Sequence, residues 1–310
     1  MGSLTRRRLL GQRVRTCRVS RGGRPANSRS SWRVPPTAAS RVDYTRTVLA
    51  TQDTEIEALL GSLTDEIRRS SNDSLVGLYV YGSLVTGDFD KDRSDIDLLA
   101  VVDSDVEGDT FDQLDSMHAR FVEDHPAWED RIEVAYVPAP ALWNFRTLTD
   151  QIAVISPGEP FHLKAAGKDW LINWYIVREA GVTLCGPPPR AHIPEISQSE
   201  FVEAVREQAE AWKEWMYKMR TPGAQSYAVF TLCRALYTCT NGRQASKKQA
   251  ALWAQAHLPQ WAALIQQSSL WLREGQDEET SDEVGLPETV PFVHDVAGRI
   301  TGTGESADPD

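Results

Sequence analysis

Four cysteines in 310 residues form no C-x-x-C pair. Cys17, Cys185, Cys233 and Cys239 are not interleaved with histidines at zinc spacing either. That pattern excludes a disulfide scaffold or a zinc ribbon and leaves buried structural thiols, so a reducing, cytoplasmic setting is expected. No apolar run approaches the roughly 20 residues that cross a bilayer, and no membrane segment or membrane partner is expected. Acids are missing from residues 1–41, which carry 11 of the 33 Lys and Arg; the rest of the chain holds 22 bases against 44 acids, a net −22. Beyond residue 41 there is no basic cluster of the kind that nucleic-acid binding requires. A body this acidic attracts cations, so a nucleic-acid partner is not expected and a cationic small molecule is. No internal repeat is present.

The Arg-, Ser- and Gly-rich segment 1–42 has no apolar periodicity and reads as disordered, as does the polar tail 303–310. Between them, Ile56, Leu59, Leu60, Leu63 and Ile67 fall on one face of an amphipathic helix over 53–69. Three β-rich runs follow, LVGLYVY (75–81), IDLLAVV (96–102) and RIEVAYV (131–137), with a helical stretch between the second and third. The expectation is an α/β unit on a small sheet. After about residue 160 the β-signals fade, and DWLINWYIVREAG, SEFVEAVREQAEAWKEWMYKM, YAVFTLCRALYTCT and KKQAALWAQAHL all have helical length and spacing. Tryptophans recur along these helices and read as core.

The chemistry lies in YGSLVTGDFDKDRSDID, residues 81–97. Side chains alternate along a strand, so Asp95 and Asp97 point one way while Ile96 and Leu98 enter the core. Two carboxylates on one face repel unless a hard cation joins them, and Mg²⁺ is commonly held by one or two carboxylates plus substrate phosphates. Gly82 and Ser83 follow an apolar strand and precede a helical turn, where small residues let backbone N–H groups approach phosphate. Glu133 adds a third carboxylate, opposite in direction to Ile132 and Val134, and has the character of a general base. Arg234 lies about 200° round its helix from Leu232 and from Leu236, so it can face a cleft while they fill the core. Lys247 follows the turn NGRQAS and can swing toward phosphate.

Strand, Gly-Ser, loop, Asp-x-Asp and a later strand carboxylate, over residues 75–137, resemble the nucleotidyltransferase superfamily. The stretch from Tyr227 to Trp261 resembles the C-terminal domain of the aminoglycoside adenylyltransferases that act on streptomycin and spectinomycin. The resemblance implies an α/β nucleotidyltransferase domain with a small mixed sheet over 43–160, followed by an all-α helical-bundle domain over 161–302. It implies Mg²⁺ on Asp95 and Asp97, and ATP contacts from Gly82, Ser83, Ser94, Asp169, Arg234 and Lys247. Glu133 would be the catalytic base. The reaction implied is adenylyl transfer from ATP to a hydroxyl of a cationic, streptomycin- or spectinomycin-type acceptor, with release of pyrophosphate. Two alternatives stand beside it: transfer to a protein hydroxyl, as in a toxin–antitoxin pair, and a non-catalytic nucleotide-binding protein. One departure is local. KMRTPGAQS (218–226) holds no Asp or Glu where the family's acidic contacts to the drug would be sought.

Overall fold

A computed structural model describes residues 53–274 and 286–302. The segments expected to be disordered, 1–42 and 303–310, lie outside the described residues. Helix α1 (Thr54–Ser70) starts where the Asp53 side chain accepts the Glu55 N–H and buries Ile56, Leu59, Leu60, Leu63 and Ile67 along one face. The five residues of the sequence pattern are its core stripe.

Six strands form one sheet in the order β5-β4-β3-β2-β1-β6. They are β1 (Leu75–Tyr81), β2 (Ile96–Val102), β3 (Ile132–Pro138), β4 (Asp150–Ser156), β5 (Glu159–Ala166) and β6 (Val182–Cys185). β2 and β3 run parallel, joined through helix α3 (Gly108–Asp124), and every other pairing is antiparallel. The sheet is therefore mixed, as expected. β5 and β6 carry it past residue 160, where the sequence reads as helical. Both are edge strands: β5 alternates one buried residue with several exposed ones, and β6 is only half-buried along its length. An edge strand buries too little to leave an apolar run in the sequence.

The sheet separates two apolar layers. Leu78, Val80, Leu98, Ala100, Val134 and Tyr136 pack beneath α1 and α3. On the other face Tyr79, Leu99, Val101, Ala135 and Val137 are continuous with the core of the C-terminal helices. Burial on both faces explains why β1, β2 and β3 read as unbroken apolar runs. The helices are α4 (Ala139–Asn144), α5 (Leu171–Ala180), α6 (Gln198–Trp215), α7 (Pro222–Asn241), α8 (Lys247–His257), α9 (Ala262–Glu274) and α10 (Leu286–Thr301). α6 opens on a capping box between Ser197 and Glu200. α7 is the central helix, packed by α6, α8, α9 and α10. Trp170, Trp174, Trp212 and Trp271 are buried and Trp215, Trp253 and Trp261 pack against the same core, the role their spacing suggests. No described helix is long and apolar enough to cross a membrane. The three described cysteines are free thiols.

Candidate active site

At the end of β1 the chain turns at Gly82, with φ at 71°, into the single-turn helix α2 (Ser83–Thr86). A Cβ at Gly82 would stand 1.9 Å from Asp97 Oδ2. Glycine is required there twice, for the positive φ and for the room it leaves to the Asp97 carboxylate. The Ser83 N–H is bonded to that same carboxylate. Replacing Gly82 with Ala strains the turn and displaces Asp97. A variant Gly82→Ala is expected to lose turnover by about 10²-fold, the usual effect of misplacing a reacting group by about 1 Å; steady-state kinetics on the folded variant measures it.

Asp97 lies opposite Tyr81 on β1 and opposite Glu133 on β3. The two carboxylates are thus neighbours in one cross-strand row, on the face that the C-terminal helices cover. Asp95 stands one residue ahead of β2, with Ile96 opening the strand. Its charge bears on both: desolvation, then the Asp95 carboxylate, push the Asp97 carboxyl up, and desolvation, then Asp97 and Asp95, do the same to Glu133. Lys247 and Arg234 oppose this at Asp97, and Lys164 at Glu133. Arg234 on α7 and Lys247, the first residue of α8, are therefore brought to the carboxylates from the helical half. Lys247 is exposed at the residue level, yet desolvation and then Arg234 lower its ammonium below the usual lysine range.

The loop between α2 and β2 is fixed at several points. Ser94 Oγ accepts the Asp90 N–H at 2.9 Å, so its hydroxyl is engaged in closing the loop. Arg131 Nη2 donates to the carbonyls of Lys91 (2.6 Å) and Ser94 (2.7 Å), with the guanidinium 4.4 Å over the Trp128 ring. Asp88 Oδ2 accepts the Lys248 N–H at 2.9 Å and ties this loop to the start of α8 beside Lys247. Neither Arg131 nor Asp88 is marked by the sequence, since each acts through a partner distant in the chain. Ser246 caps α8 by accepting the Gln249 N–H; Asp88→Ala leaves the adjacent Lys248 N–H without its acceptor and is expected to cost about 1 kcal/mol of stability. It should also raise KM for the nucleotide by freeing Lys247; thermal melting and kinetics check the two effects separately. Asp169 Oδ1 accepts the Gly167 N–H at 2.8 Å and closes the turn leading into α5.

A paired Asp and Glu on adjacent strands, a second Asp beside them and two cations from facing helices form an arrangement whose chemistry suits binding a phosphate chain and withdrawing a proton. A family model described as "Nucleotidyltransferase domain" matches residues 63–151, and one described as "Aminoglycoside adenylyltransferase, C-terminal domain" matches residues 192–298. The chain is a nucleotidyltransferase. By its second domain and its relatives it is, more narrowly, similar to the aminoglycoside adenylyltransferases. It is 28% identical over 264 residues to an aminoglycoside (3'') (9) adenylyltransferase of Escherichia coli, covering 80% of this chain and 95% of that protein. A protein of the same description from Klebsiella pneumoniae is 28% identical over 272 residues, covering 82% and 97%. The fold is also that of the spectinomycin adenyltransferase of Enterococcus faecialis, solved with ATP and spectinomycin. That match has a TM-score of 0.61 at 16% identity and covers 79% of this chain and 98% of that one. The two-part architecture expected from the sequence, and the family it resembles, are both borne out.

Proposed function

We propose that the chain transfers the adenylyl group of ATP to a hydroxyl of a cationic aminoglycoside or aminocyclitol, of the streptomycin or spectinomycin kind, in a Mg²⁺-dependent reaction that releases pyrophosphate. The observation that carries this reading is the register of Asp97 against Glu133, with Asp95, Arg234 and Lys247 around them. The relatives' descriptions and the ligands of the Enterococcus enzyme support the choice of nucleotide and acceptor.

The residues present fit Mg²⁺. Burial, and after it the Asp95 charge, raise the Asp97 carboxyl above its ordinary range, a charge cost that a divalent cation between the two would offset. Among the described residues no three His, Cys, Asp or Glu side chains converge on a metal point. Asp95 and Asp97 would therefore supply two ligands, and nucleotide phosphates and water the rest, as is usual for this ion. When bound, Mg²⁺ neutralises charge developing on the phosphates. Arg234 and Lys247 hold the triphosphate from the helical side, with Gly82, Ser83 and Ser94 lining its strand side. Glu133 takes the proton from the acceptor hydroxyl as that oxygen attacks the α-phosphorus. The new P–O bond forms, the bond between the α- and β-phosphates breaks, and pyrophosphate leaves.

Pyrophosphate release is the direct assay, run with ATP and Mg²⁺ across aminoglycosides, aminocyclitols, neutral sugar alcohols and protein acceptors. Release that depends on a cationic aminoglycoside or aminocyclitol is the expected result. Release only with a protein acceptor would overturn the choice of acceptor, and none with any acceptor would overturn the catalytic reading.

A further inference from the structure

The row that holds Asp97 and Glu133 continues beyond β3. Val134 pairs with Ile155 and Ala135 with Val154 across β3 and β4, and Ser156 pairs with Glu159 across β4 and β5. Extending the β3–β4 register by one residue sets Ser156 opposite Glu133. Tyr81, Asp97, Glu133, Ser156 and Glu159 therefore follow one another across five strands on a single face. A register shift between Val154 and Ser156 lets His162 and Glu159, three residues apart, share that face. His162 Nε2 lies 3.3 Å from Glu159 Oε2, with the two side chains only 18% and 16% exposed. Its other nitrogen, Nδ1, is 2.8 Å from the Pro160 carbonyl, which fixes the ring. Glu159 is thus a largely buried carboxylate with one oxygen beside the His162 ring, and its other oxygen, Oε1, has no partner among the described residues.

Direction along the row gives this carboxylate its use. The triphosphate belongs over Asp95 and Asp97, between Arg234 and Lys247. The attacking hydroxyl must sit at Glu133. The remainder of the acceptor then extends from Glu133 away from Asp97, over β4 and β5, where Glu159 is the next side chain able to carry negative charge. Its charge already reaches Glu133. Further along the same face stands Lys164, opposite Ile152, with its ammonium 5.5 Å from the Trp170 ring centroid. A cation there rejects a second positive group.

We propose that Glu159, on the sheet face it shares with Glu133, is the acceptor-recognition carboxylate: it binds a protonated amine of the acceptor adjacent to the hydroxyl that Glu133 deprotonates. This rests on the function proposed above, and it supplies from the β4–β5 hairpin the acid that residues 218–226 lack. Lys164 and Trp170 limit that amine to the end of the row nearer Glu133.

Steady-state kinetics with ATP and Mg²⁺ test it, with streptomycin and spectinomycin as acceptors and calorimetric titration of each drug alongside. Glu159→Gln should raise the acceptor KM and Kd about 10- to 100-fold, the loss of one charge-assisted hydrogen bond, while kcat and the ATP KM stay near wild type. Glu159→Asp should recover part of the affinity, which a purely structural role would not allow. If Glu159→Gln melts early, His162→Gln serves instead, with a smaller rise in the same KM. An unchanged acceptor KM in an enzyme that turns over, or an equal rise in the ATP KM, overturns the role of Glu159 and leaves the proposed function standing. A wild-type protein that neither binds nor adenylylates any cationic acceptor overturns that function, and this inference with it.

Discussion

An Asp97→Asn variant should lose turnover and, in the absence of metal and nucleotide, melt at a higher temperature than the wild type. Loss of one of the two carboxylates proposed to hold Mg²⁺ should remove several kcal/mol of transition-state stabilisation, about 10³-fold or more in rate. The gain in stability follows from the site's own electrostatics. Desolvation and Asp95 raise the Asp97 carboxyl above its unfolded value, so the fold disfavours the ionised form. Below the unfolded carboxyl value both states are protonated and the penalty is absent. It grows as pH rises through that value and is complete once pH passes the raised, folded one. The amide keeps an oxygen for the Ser83 N–H and carries no charge. Each 1 kcal/mol relieved is about 2 to 4 °C in Tm for a domain of 150–250 residues. The difference between variant and wild type should therefore be clear at pH 8 and vanish near pH 4, measured by melting in EDTA. A variant that is less stable than wild type at pH 8 would make Asp97 a structural ion-pair residue.

Glu133→Gln separates proton transfer from binding. Glu133 shares the cross-strand row with Asp97, and its carboxyl is raised by desolvation and by the Asp97 and Asp95 charges. A base so placed is both shielded from water and more basic than a surface carboxylate. The amide preserves size and polarity but accepts no proton. Turnover should fall by about 10² to 10⁴, the usual contribution of a positioned general base. Calorimetry should show ATP and Mg²⁺ binding little changed, with acceptor binding intact. Loss of ATP binding in parallel with activity would make Glu133 a metal ligand, and the base would have to be another group.

The parts that the sequence shows plainly are those whose environment is uniform. β1, β2 and β3 are buried on both faces, so they leave apolar runs, and α1 leaves a stripe of five apolar residues. Asp97 and Glu133 are legible because strand alternation alone sets them on one face of the sheet. Arg234 is legible from helical phase. What stays hidden depends on pairing across long stretches of chain. β5 and β6 are partly buried edge strands, β5 broken by Glu159, His162 and Lys164 and β6 only four residues long, so neither leaves the unbroken apolar run of a strand covered on both faces. Asp88 looks like one acid among several in an acidic loop, and its partner Lys248 is 160 residues away. Arg131 reads as a charge beside a strand, yet it grips two carbonyls of the loop that precedes Asp95. Glu159 and His162 fall where the sequence leaves no strand pattern, and only the register of β4 against β3 and β5 aligns them with Glu133.

The most direct test of adenylyl transfer is mass spectrometry of the acceptor itself after incubation with ATP, Mg²⁺ and the purified protein. Streptomycin or spectinomycin should gain one AMP group, with pyrophosphate formed in equal amount and no product from Asp97→Asn. An acceptor recovered unmodified across the cationic panel, while the same protein binds ATP, would contradict it.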